Sequence, residues 1–180
     1  MGLVLVIDPA GSASLPFTDN EIRQPNLKGT RMTSRYGMEI RAANAGDPPG
    51  LVSLLAEAGL VIEANEIALR LAAIRQAAGT VLIAAQWGPP SGVIILHWYS
   101  TLDEVGPIAL ITTLLVAHDD RRRGVGRLLL KAAAQAARSA GCVRLELATA
   151  TGDASLSEFC RATGFAEVGR RFVRSLRKQA

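Results

Sequence analysis

The chain has 180 residues, of which 49% are hydrophobic, and this fits one globular domain with enough apolar material for a core. No apolar run approaches the ~18 residues of a membrane span, and the run at residues 3 to 7 is too short, and too poor in preceding charge, for a signal peptide. Two cysteines are too few for a disulfide framework and agree with a reducing compartment. We therefore expect a soluble, cytoplasmic protein.

The net charge of +4 is distributed unevenly. Residues 119 to 180 carry 13 Lys and Arg against 6 Asp and Glu, whereas residues 1 to 118 carry 7 against 10. A basic second half suits a polyanionic ligand. Nucleic acid is one such ligand, but glycines in the basic segment would weaken a recognition helix, and no aromatic or amide residues lie there to read bases. This composition disfavours nucleic acid as the partner.

The first 37 residues differ from the rest of the chain. They are rich in Ser, Pro, Asn and Thr, apart from a short strand candidate at residues 3 to 7. No chemical motif lies there. We predict that residues 1 to 37 are an N-terminal arm, or an extension upstream of a translation start at Met32 or Met38, and that residues 38 to 180 form the domain. An arm would lie on this domain or on a partner subunit, which leaves a homodimer open.

Hydrophobic periodicity and turn residues predict the remaining elements in chain order. Strands are predicted at 38–43, 80–87, 92–100, 107–116, 143–149, 166–169 and 171–176, and helices at 48–58, 63–78, 125–140 and 154–163. Gly79 is predicted to close the second helix, and Gly141 to stop the third. The order of elements indicates an α/β chain with a mixed sheet.

The most informative stretch is a strand, a basic glycine loop and a helix in succession. Residues 108 to 116 form an apolar run that suits a buried strand, and from Val125 the apolar residues recur with the period of a helix. Gly124 and Gly126 let an anion approach the backbone at the helix N-terminus, where N–H groups are unpaired. The preceding arginines, residues 121 to 123, add positive charge. The pattern predicts a pyrophosphate-binding loop.

Two common nucleotide motifs do not fit this loop. The chain has no G-x-x-x-x-G-K-[ST] segment. The dinucleotide pattern G-x-G-x-x-G fails because Leu129 stands where its third glycine is required. The pyrophosphate must belong to another ligand.

The segment Arg121-x-x-Gly124-x-Gly126 resembles the signature [Q/R]-x-x-G-x-[G/A] of the GNAT acetyltransferase superfamily. The resemblance covers about residues 38 to 176, and it ends in a helix followed by Gly164-Phe165. It implies a mixed α/β (α+β) fold with a mostly antiparallel sheet, splayed middle strands and about four flanking helices. It also implies an enzyme of the acyltransferase class, namely an N-acetyltransferase that acts on a primary amine of a small molecule or peptide.

The resemblance implies acetyl-CoA as co-substrate and no metal. The pantetheine arm would pair with the backbone of the strand that ends at Val116, and the pyrophosphate would bind the glycine loop. The coenzyme A contacts predicted in this way are Leu114, Val116, Arg121, Arg122, Arg123, Gly124, Val125, Gly126 and Arg127.

The general base is less apparent, because Thr112 and Thr113 stand where many family members carry a carboxylate. Candidates that could take the amine proton through water are Glu146, Glu104 with its neighbour Asp103, and His97. His97 has an ordinary pKa of about 6.5 and could accept a proton near neutrality, although a packed strand histidine is the alternative. The face on which Glu146 projects stays open.

The general acid is also in question. Cys160 aligns with the tyrosine that the family usually places in the helix before Gly-Phe. A thiol could protonate the departing thiolate, or Cys160 could be a small buried hydrophobe. The threonines at 112 and 113 and this cysteine motivate an alternative function. In that alternative the protein is a catalytically weak or inactive regulatory module that binds acetyl-CoA or CoA.

Overall fold

A computed structural model of the chain describes residues 32–33, 37–147 and 154–168. The chain divides into two units. One unit, residues 22–150, contains the sheet and three helices, and the other, residues 1–21 with 151–180, contains a fourth helix. The strand candidate at residues 3 to 7 lies outside the described residues.

The described elements are β1 Met32–Thr33, β2 Glu39–Ala42, α1 Pro48–Glu57, α2 Ala64–Gln76, β3 Gly79–Ala85, β4 Gly92–Tyr99, β5 Ile108–Val116, α3 Val125–Ser139, β6 Arg144–Leu147 and α4 Ala154–Ala162. The strands and helices predicted from 38 to 163 are confirmed, with ends that differ by two residues at most. No helix within residues 37–147 and 154–168 is long and apolar enough to cross a membrane.

The six strands form one sheet in the order β1-β2-β3-β4-β5-β6. Neighbours from β1 to β5 are antiparallel, whereas β5 and β6 are parallel. The parallel pairing covers the first four residues of β5, from Ile108 opposite Arg144 to Ile111 opposite Leu147. The predicted mixed, mostly antiparallel α/β fold is confirmed.

Helices cover both faces of this sheet. Residues opposite each other in a ladder share a face, and we call the face with Val81, Ile83 and Val93 the α1–α2 face. These side chains share one core cluster with residues of the two helices: Leu51, Leu54, Ile67 and Leu71. The α1–α2 face is therefore buried along β3 and the start of β4.

Helix α3 covers the opposite face, which we call the α3 face. At Gly92 of β4, an added Cβ would lie 3.0 Å from Leu129 Cδ1 and 3.4 Å from Val125 Cγ1. The helix buries its apolar side: Val125, Leu129, Leu130, Ala132, Ala133, Ala136 and Ala137. Leu129 is completely buried, and burial of such a side chain stabilises the fold by about 2–3 kcal/mol. This packing fixes the position of the helix N-terminus against β5.

Two predictions about local structure need correction, and one strand was missed. Gly79 does not close α2 but begins β3, where an added Cβ would lie 2.8 Å from the Leu96 carbonyl oxygen, so its missing side chain permits close strand pairing. Residues 166 to 168 form no strand, and their side chains are exposed rather than alternately buried. Strand β1 was not predicted, because two residues carry no periodicity.

Candidate active site

The glycine loop, residues 121–126, has a backbone conformation that suits an anion. Arg122 adopts a left-handed conformation with φ of 62°, and Gly124, at 86°, is the residue before α3. A non-glycine residue in this region costs about 1 kcal/mol or more, and such costs concentrate at functional sites. Left-handed residues within a turn direct successive N–H groups to one side, and the N-terminus of α3 adds its own donors. This backbone conformation is compatible with an anion bound at the loop.

Hydrogen bonds hold this loop against the sheet. Arg121 donates through Nε to the Val116 carbonyl oxygen at 3.1 Å, and the Arg123 guanidinium donates to the Asp120 carboxylate at 3.1 Å. The backbone N–H of His118 donates to the Glu57 carboxylate at 2.9 Å. Two of the predicted coenzyme A residues thus also order the loop itself.

Strand β5 has an irregularity at the middle of the sheet. Thr113 lies opposite Ile95 and Ile111 opposite Leu96, so Thr112 is an extra residue, or β-bulge. Within residues 37–147, no strand pairs with the β6 side of β5 beyond Ile111. An extended ligand that pairs with this edge would do so along the backbone from Thr112 to Val116, where the Val116 carbonyl oxygen already accepts a hydrogen bond from Arg121 Nε.

Two candidate bases share one row across the sheet. His97 lies opposite Leu110, and Leu110 lies opposite Glu146. His97 also lies opposite Gly79, where an added Cβ would be 3.1 Å from His97 Nδ1 and 3.2 Å from Ile74 Cγ2 of α2. The row thus projects on the α1–α2 face, and His97 and Glu146 have Cα atoms about 10 Å apart, two strand spacings. This decides the orientation of Glu146 that the sequence left open.

Glu146 belongs to a cluster of four polar residues. Its Oε1 accepts a hydrogen bond of 2.7 Å from Arg144 Nε, and its Oε2 accepts a longer one of 3.5 Å from the Tyr99 hydroxyl. The same guanidinium forms a salt bridge with Glu104 from the loop after β4. The structure therefore brings Glu146 and Glu104 together through Arg144, at the level of Ile108 to Leu110 on β5.

Comparison with known proteins agrees with this geometry. The family model described as Acetyltransferase (GNAT) family matches residues 51–165. The chain belongs to the GNAT acetyltransferase family. No curated protein sequence matches it.

Solved acetyltransferase structures share the fold. A putative acetyltransferase from Agrobacterium tumefaciens str. C58 is 28% identical, with a TM-score of 0.68 over 76% of this chain and 99% of that one. Glucosamine-6-phosphate N-acetyltransferase from Arabidopsis thaliana is 17% identical, with a TM-score of 0.66 over 78% and 99%. AAC(6')-Iy in complex with the bisubstrate analog CoA-S-monomethyl-acetylneamine is 22% identical, with a TM-score of 0.66 over 79% and 99%.

Two side chains on the α1–α2 face of this GNAT domain, His97 and Tyr99, have shifted pKa values. Burial lowers the pKa of His97, so its imidazole is neutral near pH 7. Burial raises the pKa of Tyr99, and the charge of Glu146 raises it further. The phenol therefore keeps its proton well above neutral pH.

Cys160 lies on α4, in the other unit of the GNAT chain, and is buried. Its carbonyl oxygen accepts hydrogen bonds from the N–H of Phe165 at 3.0 Å and of Thr163 at 3.1 Å. These bonds close the helix before Gly164, which has a φ of 90°. The local structure is that of a packed residue at a helix end.

Sequence analysis missed two residues of the candidate site: Arg144 and Glu57. The adjacent aromatics Trp98 and Tyr99, which the sequence offers as lining of an acceptor pocket, face opposite sides of β4, the first buried and the second half-buried. Tyr99 shares the face of His97, since residues two apart lie on the same side of a strand. The carboxylate of Glu57 reaches the loop only through tertiary packing and left no local signal.

Proposed function

We propose that this protein transfers the acetyl group of acetyl-CoA to a primary amine of a small molecule or peptide. One observation carries the proposal: strand β5 joins the glycine loop, which follows its last residue Val116, to Leu110 opposite Glu146, and we call the β6 side of this strand the path. The AAC(6')-Iy complex with a CoA bisubstrate analog supports the same class of ligand here.

Acetyl-CoA fits the path in two parts. Backbone N–H groups of Gly124, Val125, Gly126 and Arg127, with the three arginines before them, suit the pyrophosphate. The backbone of Leu114 and Val116 suits an extended pantetheine arm, which pairs as an additional strand would. This arrangement leads the thioester towards the bulge at Thr112.

Glu146 is the proposed proton acceptor. The attacking amine must lose a proton, and a carboxylate held by Arg144 and Tyr99 at the end of the path both attracts the ammonium and takes that proton through water. Glu104 acts indirectly, by orienting Arg144. His97 is placed less well, because its Nδ1 packs beside Gly79 and Ile74.

Turnover of acetyl-CoA with a panel of amines tests the proposal. Glu146→Gln should lower kcat/KM by about 100-fold across about pH 6 to 9. Glu104→Gln is the matched carboxylate control and should lower kcat/KM by less than about tenfold. His97→Asn should change kcat/KM little. Wild-type rates for all three variants would exclude them as bases.

The threonines at 112 and 113 favour one alternative, a CoA-binding regulatory module. A thermal-shift panel with acetyl-CoA, CoA, ATP and DNA, read beside the turnover assay, separates the functions. Stabilisation by CoA without turnover of any amine would support the regulatory module. Stabilisation by DNA alone would contradict both CoA-based functions.

A further inference from the structure

We infer that Arg144 is a positioning residue that couples the loop between β4 and β5 to the proposed base, Glu146. We call this loop, residues 100–107, the acceptor loop, because it forms one wall of the place where the amine would bind. This role rests on the proposed function. It makes the affinity for the amine and the transfer of its proton depend on one guanidinium.

Arg144 lies in the row of the sheet from which the acceptor loop departs. Tyr99, the last residue of β4, is opposite Ile108, the first residue of β5, and Ile108 is opposite Arg144. The loop therefore leaves the sheet and returns to it level with this arginine. Glu146, two residues further along β6, projects on the same face as Arg144.

The guanidinium uses two separate nitrogens for two carboxylates. Its Nε donates to Glu146 Oε1 at 2.7 Å, and its Nη1 forms the salt bridge with Glu104 of the acceptor loop. The planar fork of an arginine permits both bonds at once, whereas a lysine ammonium is a single compact charge. The positive charge also separates two carboxylates that would otherwise repel each other. The base and the loop thus share one partner.

The end of the acceptor loop is fixed by backbone contacts that do not involve this arginine. The N–H of Val143 donates to the Pro107 carbonyl oxygen at 2.9 Å. An added Cβ at Gly106 would lie 2.9 Å from Val143 Cγ1 and 3.1 Å from the Gly141 carbonyl oxygen, so the two segments lie directly against each other. The salt bridge of Glu104 joins the middle of the loop to β6. Its loss should free the middle of the loop and leave the end in place.

The middle of the acceptor loop offers apolar surface to a ligand. Leu102 and Val105, which flank the salt-bridged Glu104, are almost completely exposed. Binding sites commonly combine apolar side chains, which contact the carbon skeleton of a ligand, with a few polar groups that orient it. Because Glu104 and Glu146 bind the same guanidinium, this apolar segment is held near the carboxylate that is proposed to take the proton.

Kinetics of Arg144→Gln with an amine substrate test the coupling. We expect kcat to fall about tenfold, because the base loses its fixed position, and KM for the amine to rise about fivefold, because the loop is released. KM for acetyl-CoA should stay within about twofold of wild type. Arg70→Gln is the matched control, since Arg70 also donates through Nε to a glutamate, Glu66, at 2.7 Å, but on exposed α2. It should change none of these constants.

A double variant distinguishes coupling from two independent contacts. Glu104→Gln should raise KM for the amine in the wild-type background and have no further effect in Arg144→Gln, because both changes break the same salt bridge. Guanidinium ion at non-denaturing concentration should restore part of kcat to Arg144→Ala, since the ion can bind between the two carboxylates. Additive effects of the two substitutions, or a wild-type KM for the amine in Arg144→Gln, would overturn the inference.

Hydrogen–deuterium exchange measures the acceptor loop without turnover. The amides of residues 101–105 should exchange about three- to tenfold faster in Arg144→Gln than in the wild type or in Arg70→Gln. Unchanged exchange, in a protein whose wild type acetylates amines, would overturn the coupling and leave the proposed function intact. If the wild type binds acetyl-CoA but acetylates no amine, the proposed function fails and the positioning role fails with it, whatever the exchange of the loop.

Discussion

The Glu57 carboxylate, at the last residue of α1, accepts a hydrogen bond of 2.9 Å from the backbone N–H of His118. His118 begins the short turn between β5 and the glycine loop. The bond joins a helix of the α1–α2 face to the proposed phosphate site, across 61 residues of sequence. Glu57 is therefore placed to order that loop before acetyl-CoA binds.

Removal of this carboxylate should weaken acetyl-CoA binding. We expect Glu57→Ala to raise Kd about fivefold, which corresponds to about 1 kcal/mol for a hydrogen bond that orders the loop. Glu57→Gln keeps an acceptor oxygen and should bind nearly as the wild type. Kd is measured by calorimetry. Glu66→Ala, which removes an exposed carboxylate of α2, is the control. A lower Kd for Glu57→Ala would show that repulsion between carboxylate and phosphates outweighs the ordering.

A carboxylate within the glycine loop should abolish acetyl-CoA binding. In Gly126→Glu the new side chain would occupy the first turn of α3 and repel the pyrophosphate from the helix N-terminus. Gln135→Glu adds the same charge on the exposed side of the same helix and should bind normally. Calorimetry of both variants, with circular dichroism to establish folding, measures the effect. Equal affinities in folded proteins would contradict the phosphate site.

The carboxylate of Asp47 should stabilise the fold above acidic pH. It is 8% exposed, and it accepts hydrogen bonds from the Arg41 guanidinium at 2.8 Å and from the Asn44 N–H at 2.6 Å. Burial alone would raise the pKa of Asp47, but these hydrogen bonds outweigh it and hold the pKa below its ordinary value. The stabilisation is therefore complete above the unfolded pKa of about 3.9 and is lost as pH falls through the lower folded pKa.

Asp47→Asn tests this stabilisation. We expect it to reduce the free energy of unfolding by about 1–3 kcal/mol at pH 7, and the difference from wild type should narrow below about pH 4. Urea denaturation at both pH values measures it. Asp119→Asn, at a fully exposed side chain, is the control. If the free energies of unfolding of variant and wild type differ by the same amount at both pH values, the effect arises from packing rather than from ionisation.

Loss of the Cys160 thiol should affect stability and not catalysis. Cys160→Ala leaves a small volume unfilled at a buried position, which should cost about 1 kcal/mol. Melting temperature and kcat at saturating acetyl-CoA are measured on the same variant, with half-buried Cys142→Ala as control. A lower kcat at unchanged melting temperature would instead support Cys160 as the general acid.

Local sequence was sufficient for the strand, loop and helix from Ile108 to Ser139. The apolar run, the glycines and the change of period each act within a few residues, so they could be interpreted without tertiary contacts. The prediction of a phosphate-binding loop rested on Gly124, Gly126 and the arginines beside the helix N-terminus. The left-handed backbone of Arg122 was not predicted, because residues other than glycine rarely adopt that conformation.

Strand register determines which side chains meet at the candidate site. Glu146 and Tyr99 are 47 residues apart in sequence, and they meet because Tyr99 is opposite Ile108, which is opposite Arg144. A shift of one residue in either pairing would move a side chain to the other face of the sheet. Alternation along one strand gives two faces but does not tell which of them is buried, so only the packed sheet could place these groups together.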